Sequence, residues 1–491
     1  MKKPKKIASA LVSVALVVGM AGCAATEAQQ EQSNASADAE STATEDGEPD
    51  LSFSKRDRDP SYDEATATKI DLNGESASVS GDGAGASGST VTISADGTYI
   101  VKGTLSNGQI LVNLPGDEDK AQIVLDGAAI HNETGPAFYV QQADKVFVTL
   151  AEGTTNELTD GADYAATDDG NDPKAALYSK DDLTINGSGA LNVIGNYYHG
   201  ISSTDDLRVT GGTISVTSKE DAFHGKDAIK IGGGSLTANA GDDAFHSEYL
   251  FYIEDGIVNV EKCTEGYEAE KVYVYGGDTT IVASDDGVNA AAAEEDGTDG
   301  TTAQTMQPEV PPTMPDREER PMKSDRGPRE EMREMPQGEK PDGQAMDRGG
   351  FGGRMGGGAM AGASQDCLIR INGGTLRVDA GGDGLDSNGY IEINGGTVLV
   401  SGSTNSANSG LDSEYGATVN GGDIIIVGAA GMAEDFKSGT QAHLMERVSG
   451  NAGSTVEVLD ASGKVLVSYI APKSFQCVVA SAPNCSSITV R

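Results

Sequence analysis

Between Leu183 and Asp286 apolar and polar positions alternate in short runs that return five times almost unchanged: LTINGSGALNV, LRVTGGTISV, IKIGGGSLTA, FYIEDGIVNV and VYVYGGDTTIV. The glycines that break each pair of runs are Gly189, Gly212, Gly234, Gly256 and Gly277, at intervals of 23, 22, 22 and 21. The pattern resumes as LIRINGGTLRV, YIEINGGTVLV and ATVNGGDIIIV, broken at Gly374, Gly396 and Gly422. Alternation with period two puts Leu207, Val209, Ile214 and Val216 on one side of two short strands, with Arg208 and Ser215 on the other. A third apolar position follows in each polar stretch: Phe223, Phe245, Tyr267, Val288, Leu385, Leu411 and Phe436. Three short strands and three turns in about 22 residues make one coil of a stacked solenoid. No segment has the helical period that a βαβ crossover needs. The expected fold is all-β: a three-faced parallel β-helix, right-handed like most parallel crossovers.

The flanks divide the rest. MKKPKKIASALVSVALVVGMAGCAA has a basic start, an apolar run too short to span a membrane and a small-residue ending, so residues 1–22 read as a secretory signal. Ala21-Gly22-Cys23 makes Cys23 the expected lipid-modified terminus, which places the chain outside a bacterial cell, held to its membrane by lipid alone. Residues 23–65 read as a solvated tether. Residues 66–182 show irregular short strands and fit the capped beginning of the solenoid, residues 183–454 carry the regular coils, and 455–491 fit a C-terminal β cap. Residues 291–366 hold eight of the twelve methionines and show no apolar periodicity, so a disordered loop extruded from one coil is expected there.

Charge narrows the partners. The chain has 35 Lys+Arg against 76 Asp+Glu; without residues 1–22 the net charge is −45. Phosphate backbones need the opposite sign, so nucleic acid is excluded as a partner. Cysteines are too few for a disulfide framework. Cys477 and Cys485 flank a turn and are spaced to close a small loop, while Cys263 and Cys367 lie in separate coils, and whether they meet is open.

Aligning the coils by their glycines stacks the third turn. One column reads Asp221, Asp243, Glu265, Asp286, Asp383, with Asp242 and Asp285 beside it. Three residues on, a second column reads His224, His246, Glu268, Asn289, Asp386, Asp412. Neighbouring coils lie about 4.8 Å apart, and stacked carboxylates at that spacing repel unless something neutralises them. Ca2+, a hard cation that takes six to eight oxygens, is the expected neutraliser; the plainer alternative is that these are turn formers facing water. His224 and His246, lacking a third neutral ligand, make a weak transition-metal site, and a hydrogen-bonded polar ladder is the simpler reading. On the first strand the outward column includes Arg208, Lys230, Tyr252, Tyr273 and Arg370, a stripe suited to gripping a long glycan through charge and ring stacking.

QIVLDGAAI at 122–130, VFVTLAEGTTNEL at 146–158, LTINGSGALNV, DDAFHSE at 242–248, the Met/Gly-rich insert and the VLDASGKVL ending together resemble the carbohydrate-binding β-helix lipoproteins of clostridial cellulose degraders. That resemblance implies a fold similar to family 9 pectate lyases, binding of cellulose or pectin-like acidic polysaccharide at the cell surface, and calcium at Asp221, Asp242, Asp243, Glu265, Glu268, Asp285, Asp286, Asp383, Asp386 and Asp412. A monomer is expected. No catalytic residue is assigned, although Lys219 and Lys226 lie near the carboxylate turns. Two alternatives stand beside a binding protein: a calcium-dependent lyase on uronic acid polymers, and an adhesin or spacer that calcium only stiffens.

Overall fold

The computed structural model describes residues 48–116, 118–165, 171–292 and 363–491. The signal segment, Cys23 and nearly all of the 291–366 insert lie outside these residues. Residues 51–491 form one compact unit. It is a parallel β-solenoid whose only helix among the described residues is the turn Lys55–Arg58.

Each coil supplies two strands that bend at a glycine and a third that turns away from them. First and second strands merge into one 23-stranded sheet, because Ala228–Asn239 and Leu250–Cys263 run through the bend without a break. Third strands stack separately in a 12-stranded sheet from Ala84–Ser87 to Leu411–Ser413. Pairing is in register from coil to coil: Leu207 on Ile229 on Phe251 on Val272 on Ile369 on Ile391 on Ala417. The bend needs glycine. Gly277 has φ +79° and Gly374 has φ +74°, and a Cβ on Gly374 would lie 2.5 Å from the Gly276 carbonyl oxygen one coil below. In the first regular coil the left-handed residue is Gly187 and not Gly189.

The inward column is a continuous apolar core of thin layers. Midway along, it is aromatic: Phe223 and Phe245 stack in parallel at 4.6 Å between ring centroids, and Tyr267 stacks on Phe251 at 4.0 Å. At the start of the solenoid Thr68–Gly74 pairs antiparallel with Ala77–Ser80, and Ala84–Ser87 with Thr90–Ile93. At the other end Cys477–Ser481 closes antiparallel on the last coil, and Thr455–Asp460, Val465–Ile470 and Cys485–Val490 make a small sheet over it. Cys263, Cys367, Cys477 and Cys485 are all free thiols, so the Cys477–Cys485 loop is not closed by a disulfide.

Leu51 to Arg58 departs from the tether expectation. Ser54 and Asp57 cap the short helix reciprocally, and the segment lies on the first-strand face. Leu51 and Phe53 pack with Tyr252 and Tyr273. The polar composition of residues 23–65 hides these two apolar anchors.

Candidate functional site

The third strands place their middle residue outward and the preceding turn places a second side chain beside it. Register sets Tyr139, Tyr178, Ser202, His224, His246, Glu268, Asn289, Asp386 and Asp412 in one file. Beside it the turn file runs His199, Asp221, Asp243, Glu265, Asp286, Asp383, tied by backbone bonds such as Ala222 N–H to the Asp243 carbonyl at 2.9 Å and Gly287 N–H to the Asp383 carbonyl at 2.9 Å. Side chains tie it again: Asp221 accepts from the Asp243 N–H at 3.2 Å, Asp243 from Glu265 at 3.1 Å and Asp286 from Asp383 at 2.5 Å. Each carboxylate thus caps the turn above it and keeps an oxygen for other partners.

At the upstream end the two files line an open groove of about 590 Å³. Tyr178, Tyr198 and Lys174 line it together with His199, His224 and His246 and the carboxylates from Glu220 to Glu268. The histidines are stacked, His199 on His224 at 4.6 Å and His224 on His246 at 5.3 Å. Burial alone would raise Asp221, but the three imidazoles around it hold it down to about 2. Burial and the neighbouring His199 push His224 down to about 3, so it is neutral. Burial also opposes charge on His246, yet hydrogen bonds to Asp243 and Glu268, each at 3.1 Å, push it up to about 11.

Downstream the cations run out. Asp286, Asp383 and Asp386 hold carboxylate oxygens within 4.8 Å of one another. Burial pushes them up to about 6, 7 and 7, with the charges of Asp285 and Asp412 adding at Asp286 and those of Asp286 and Asp412 adding at Asp383 and Asp386. Glu265 rises to about 8 through burial and the nearby Glu268. The donor set of Asp286, Asp383 and Asp386 is oxygen alone.

The family model for carbohydrate-binding domain-containing proteins matches residues 87–308 and 359–469. The chain belongs to this carbohydrate-binding domain family. A carbohydrate-binding domain-containing protein of Acetivibrio thermocellus is 44% identical over 127 residues, which is 26% of this chain and 44% of that protein. The chain therefore spans less than half the length of that relative. A solved polysaccharide lyase-like protein from C. thermocellum, a gadolinium derivative, is 31% identical and covers 45% of this chain and 91% of its own, with a TM-score of 0.42.

Of the ten carboxylates expected to bind calcium in this member of the family, the fold gathers Asp221 with Asp243 and His246, Asp243 with Glu265 and Glu268, and Asp286 with Asp383 and Asp386. Asp242, Asp285 and Asp412 flank these groups without joining them. Lys219 and Lys226 do not line the groove, and Lys226 faces Glu248 at 4.0 Å.

The expected glycan stripe is corrected. Arg208, Lys230, Tyr252, Tyr273 and Arg370 do stack in register, but the first four are at most 5% exposed. The docked Leu51–Arg58 segment covers this face, with Phe53 against Tyr252 at a centroid distance of 6.4 Å. The charges are satisfied internally: Arg208 reaches Asp182 at 2.8 Å and Asp206 at 2.5 Å, and Lys230 lies 3.7 Å from Asp206. Arg370 alone is partly exposed; it pairs with Glu392 at 2.9 Å and lies 5.0 Å from the Tyr273 ring centre. Alternation marks a position as pointing away from the core, but it carries no information about a distant segment that folds over it.

Sequence reading missed four residues that line the groove: Lys174, Tyr178, Tyr198 and His199. A signal existed. Extending the two turn files one coil upstream of Asp221 lands on His199, and one strand upstream of Ser202 lands on Tyr178.

Proposed function

We propose that the groove on the third-strand face binds a polysaccharide chain at the cell surface, with calcium in the adjoining carboxylate file. The groove itself carries this reading: about 590 Å³, lined by two tyrosine rings and a lysine together with histidines and carboxylates. Tyr178 and Tyr198 offer faces for the apolar side of a pyranose. Lys174 offers a cation to an acidic sugar, and the coil repeat suits a polymer with a repeat of its own. Asp286, Asp383 and Asp386 would hold the calcium, their oxygen-only donors fitting a hard cation. Bound there, the ion would relieve their mutual repulsion and offer spare coordination to a uronate carboxylate. Lipid attachment at Cys23 would hold the protein on the outer face of the membrane.

The test is isothermal titration and pull-down with oligogalacturonate, soluble cello-oligosaccharide and insoluble cellulose, with and without calcium. Binding that is lost in Tyr178→Ala together with Tyr198→Ala supports the assignment. Binding that survives the double substitution places the glycan elsewhere.

A further inference from the structure

Within the groove, one group of side chains has a chemistry that the oxygen-only file does not share. His199 and Asp221 occupy successive rungs of the turn file, and His224 stands three residues beyond Asp221 on the neighbouring strand. Ligand atoms of all three lie within 4.8 Å of one another. His199 Nδ1 is 3.2 Å from Asp221 Oδ2. That contact is out of line for a hydrogen bond, and His199 Nδ1 is one of four buried side-chain polar atoms among the described residues that make none. His199 is 8% exposed, so water does not readily supply the missing partner. The other oxygen of Asp221 is already committed to the Asp243 N–H, which leaves Oδ2 facing the imidazoles.

We propose that His199, Asp221 and His224 form a binding site for a divalent transition-metal ion of zinc's class, with its remaining coordination position open to the groove. Two imidazoles and one carboxylate are a three-ligand set that such ions take, with a fourth position left for water or a ligand. Tetrahedral bonds of about 2.0–2.1 Å separate neighbouring ligand atoms by about 3.3 Å, close to the 3.2 Å between His199 Nδ1 and Asp221 Oδ2. Nitrogen donors favour a borderline ion over calcium, so this site and the Asp286–Asp386 file would select different metals. The fold supplies what His224 and His246 lack as a pair: a third neighbour, His199, one coil upstream. His246 is held apart, its Nδ1 bonded to Asp243 and Glu268.

The experiment uses the full chain stripped of metal by chelation, titrated with ZnCl2 alone and in a large excess of CaCl2, with Co2+ as an optical probe. One equivalent of Zn2+ that calcium does not displace is expected, with Co2+ giving the strong visible absorption of a tetrahedral site. His199→Asn and His224→Asn should each weaken Zn2+ binding by more than the roughly 10- to 100-fold that outer-shell changes cause, whereas the remote His443→Asn should not. The Co2+ spectrum of the unmutated chain reports tetrahedral coordination, or its absence, even if His199→Asn fails to fold. No stoichiometric Zn2+ uptake, or uptake unchanged in His224→Asn, overturns the proposal.

Discussion

Asp57 and Lys145 form an ion pair of 3.0 Å in which the carboxylate is fully buried and the ammonium nearly so. Eighty-eight positions separate them in the chain, yet the pair is where the N-terminal segment is fastened to the solenoid. Thr184 donates to the same carboxylate at 2.6 Å, and Asn186 and Thr210 donate to the Asp57 carbonyl. Burial alone would raise Asp57, but Lys145 and the hydrogen bonds from Thr184 and Ser54 hold it below the usual carboxylate range. Asp57→Ala leaves Lys145 buried without its principal counter-charge and should cost about 3–5 kcal/mol. Urea unfolding of the two proteins measures this, and a loss under about 1 kcal/mol would show that the fastening is not needed.

The covered stripe and the open groove should respond oppositely to substitution. Tyr178→Ala or Tyr198→Ala should weaken glycan binding roughly two- to tenfold, the range expected for loss of one stacked ring, with little change in melting temperature. Tyr273→Ala removes a side chain that is 1% exposed and should lower stability by about 3–5 kcal/mol, comparable to other large aromatic truncations. Its glycan affinity, measured where the variant is still folded, should be unchanged. Affinity lost in Tyr273→Ala and kept in the groove variants would reverse the assignment of the two faces.

The carboxylate file sets a pH dependence. Asp286, Asp383 and Asp386 titrate at about 6, 7 and 7 in the fold, against about 3.9 in an unfolded chain. Raised values mean that the fold favours the protonated form. Their stabilisation is complete below about pH 4 and is lost as pH climbs through 6–7. Without divalent cations the melting temperature should therefore fall between about pH 5 and 8. Millimolar calcium should offset that fall, because metal binding strengthens as the protons leave. Parallel melts in EDTA and in CaCl2 test it: matching curves would rule out a cation in this file.

Thiol chemistry follows burial. Burial, with Asp243 and Glu265 nearby, pushes Cys263 up to about 12, and burial raises Cys367 and Cys477 as well. Cys485 is the partly exposed one of the four. Iodoacetamide at neutral pH should label Cys485 and spare the other three in the native protein. Reductant should leave the melting temperature unmoved; a drop would reveal a disulfide.

The sequence by itself determined the solenoid. A period of about 22 with alternating apolar positions admits few other ways to bury Leu207, Val209, Ile214 and Val216, and stacking identical coils forces identical positions into files. The files of Asp221 to Asp383 and His224 to Asp412 were legible for that reason: register in a parallel stack is a property of spacing. What lies across a file was not legible. Only the tertiary structure decided that Leu51–Arg58 folds back over Arg208, Lys230, Tyr252 and Tyr273, because Phe53 and Asp57 find their partners far along the chain and show no periodicity. Only it gathered Lys174 and Tyr198 with Tyr178 and His199 around one groove: register alone reaches Tyr178 and His199, but Lys174 precedes the regular coils and Tyr198 stands in neither file. Periodic burial is written locally; a lid or a groove wall depends on segments that meet only once the chain has coiled.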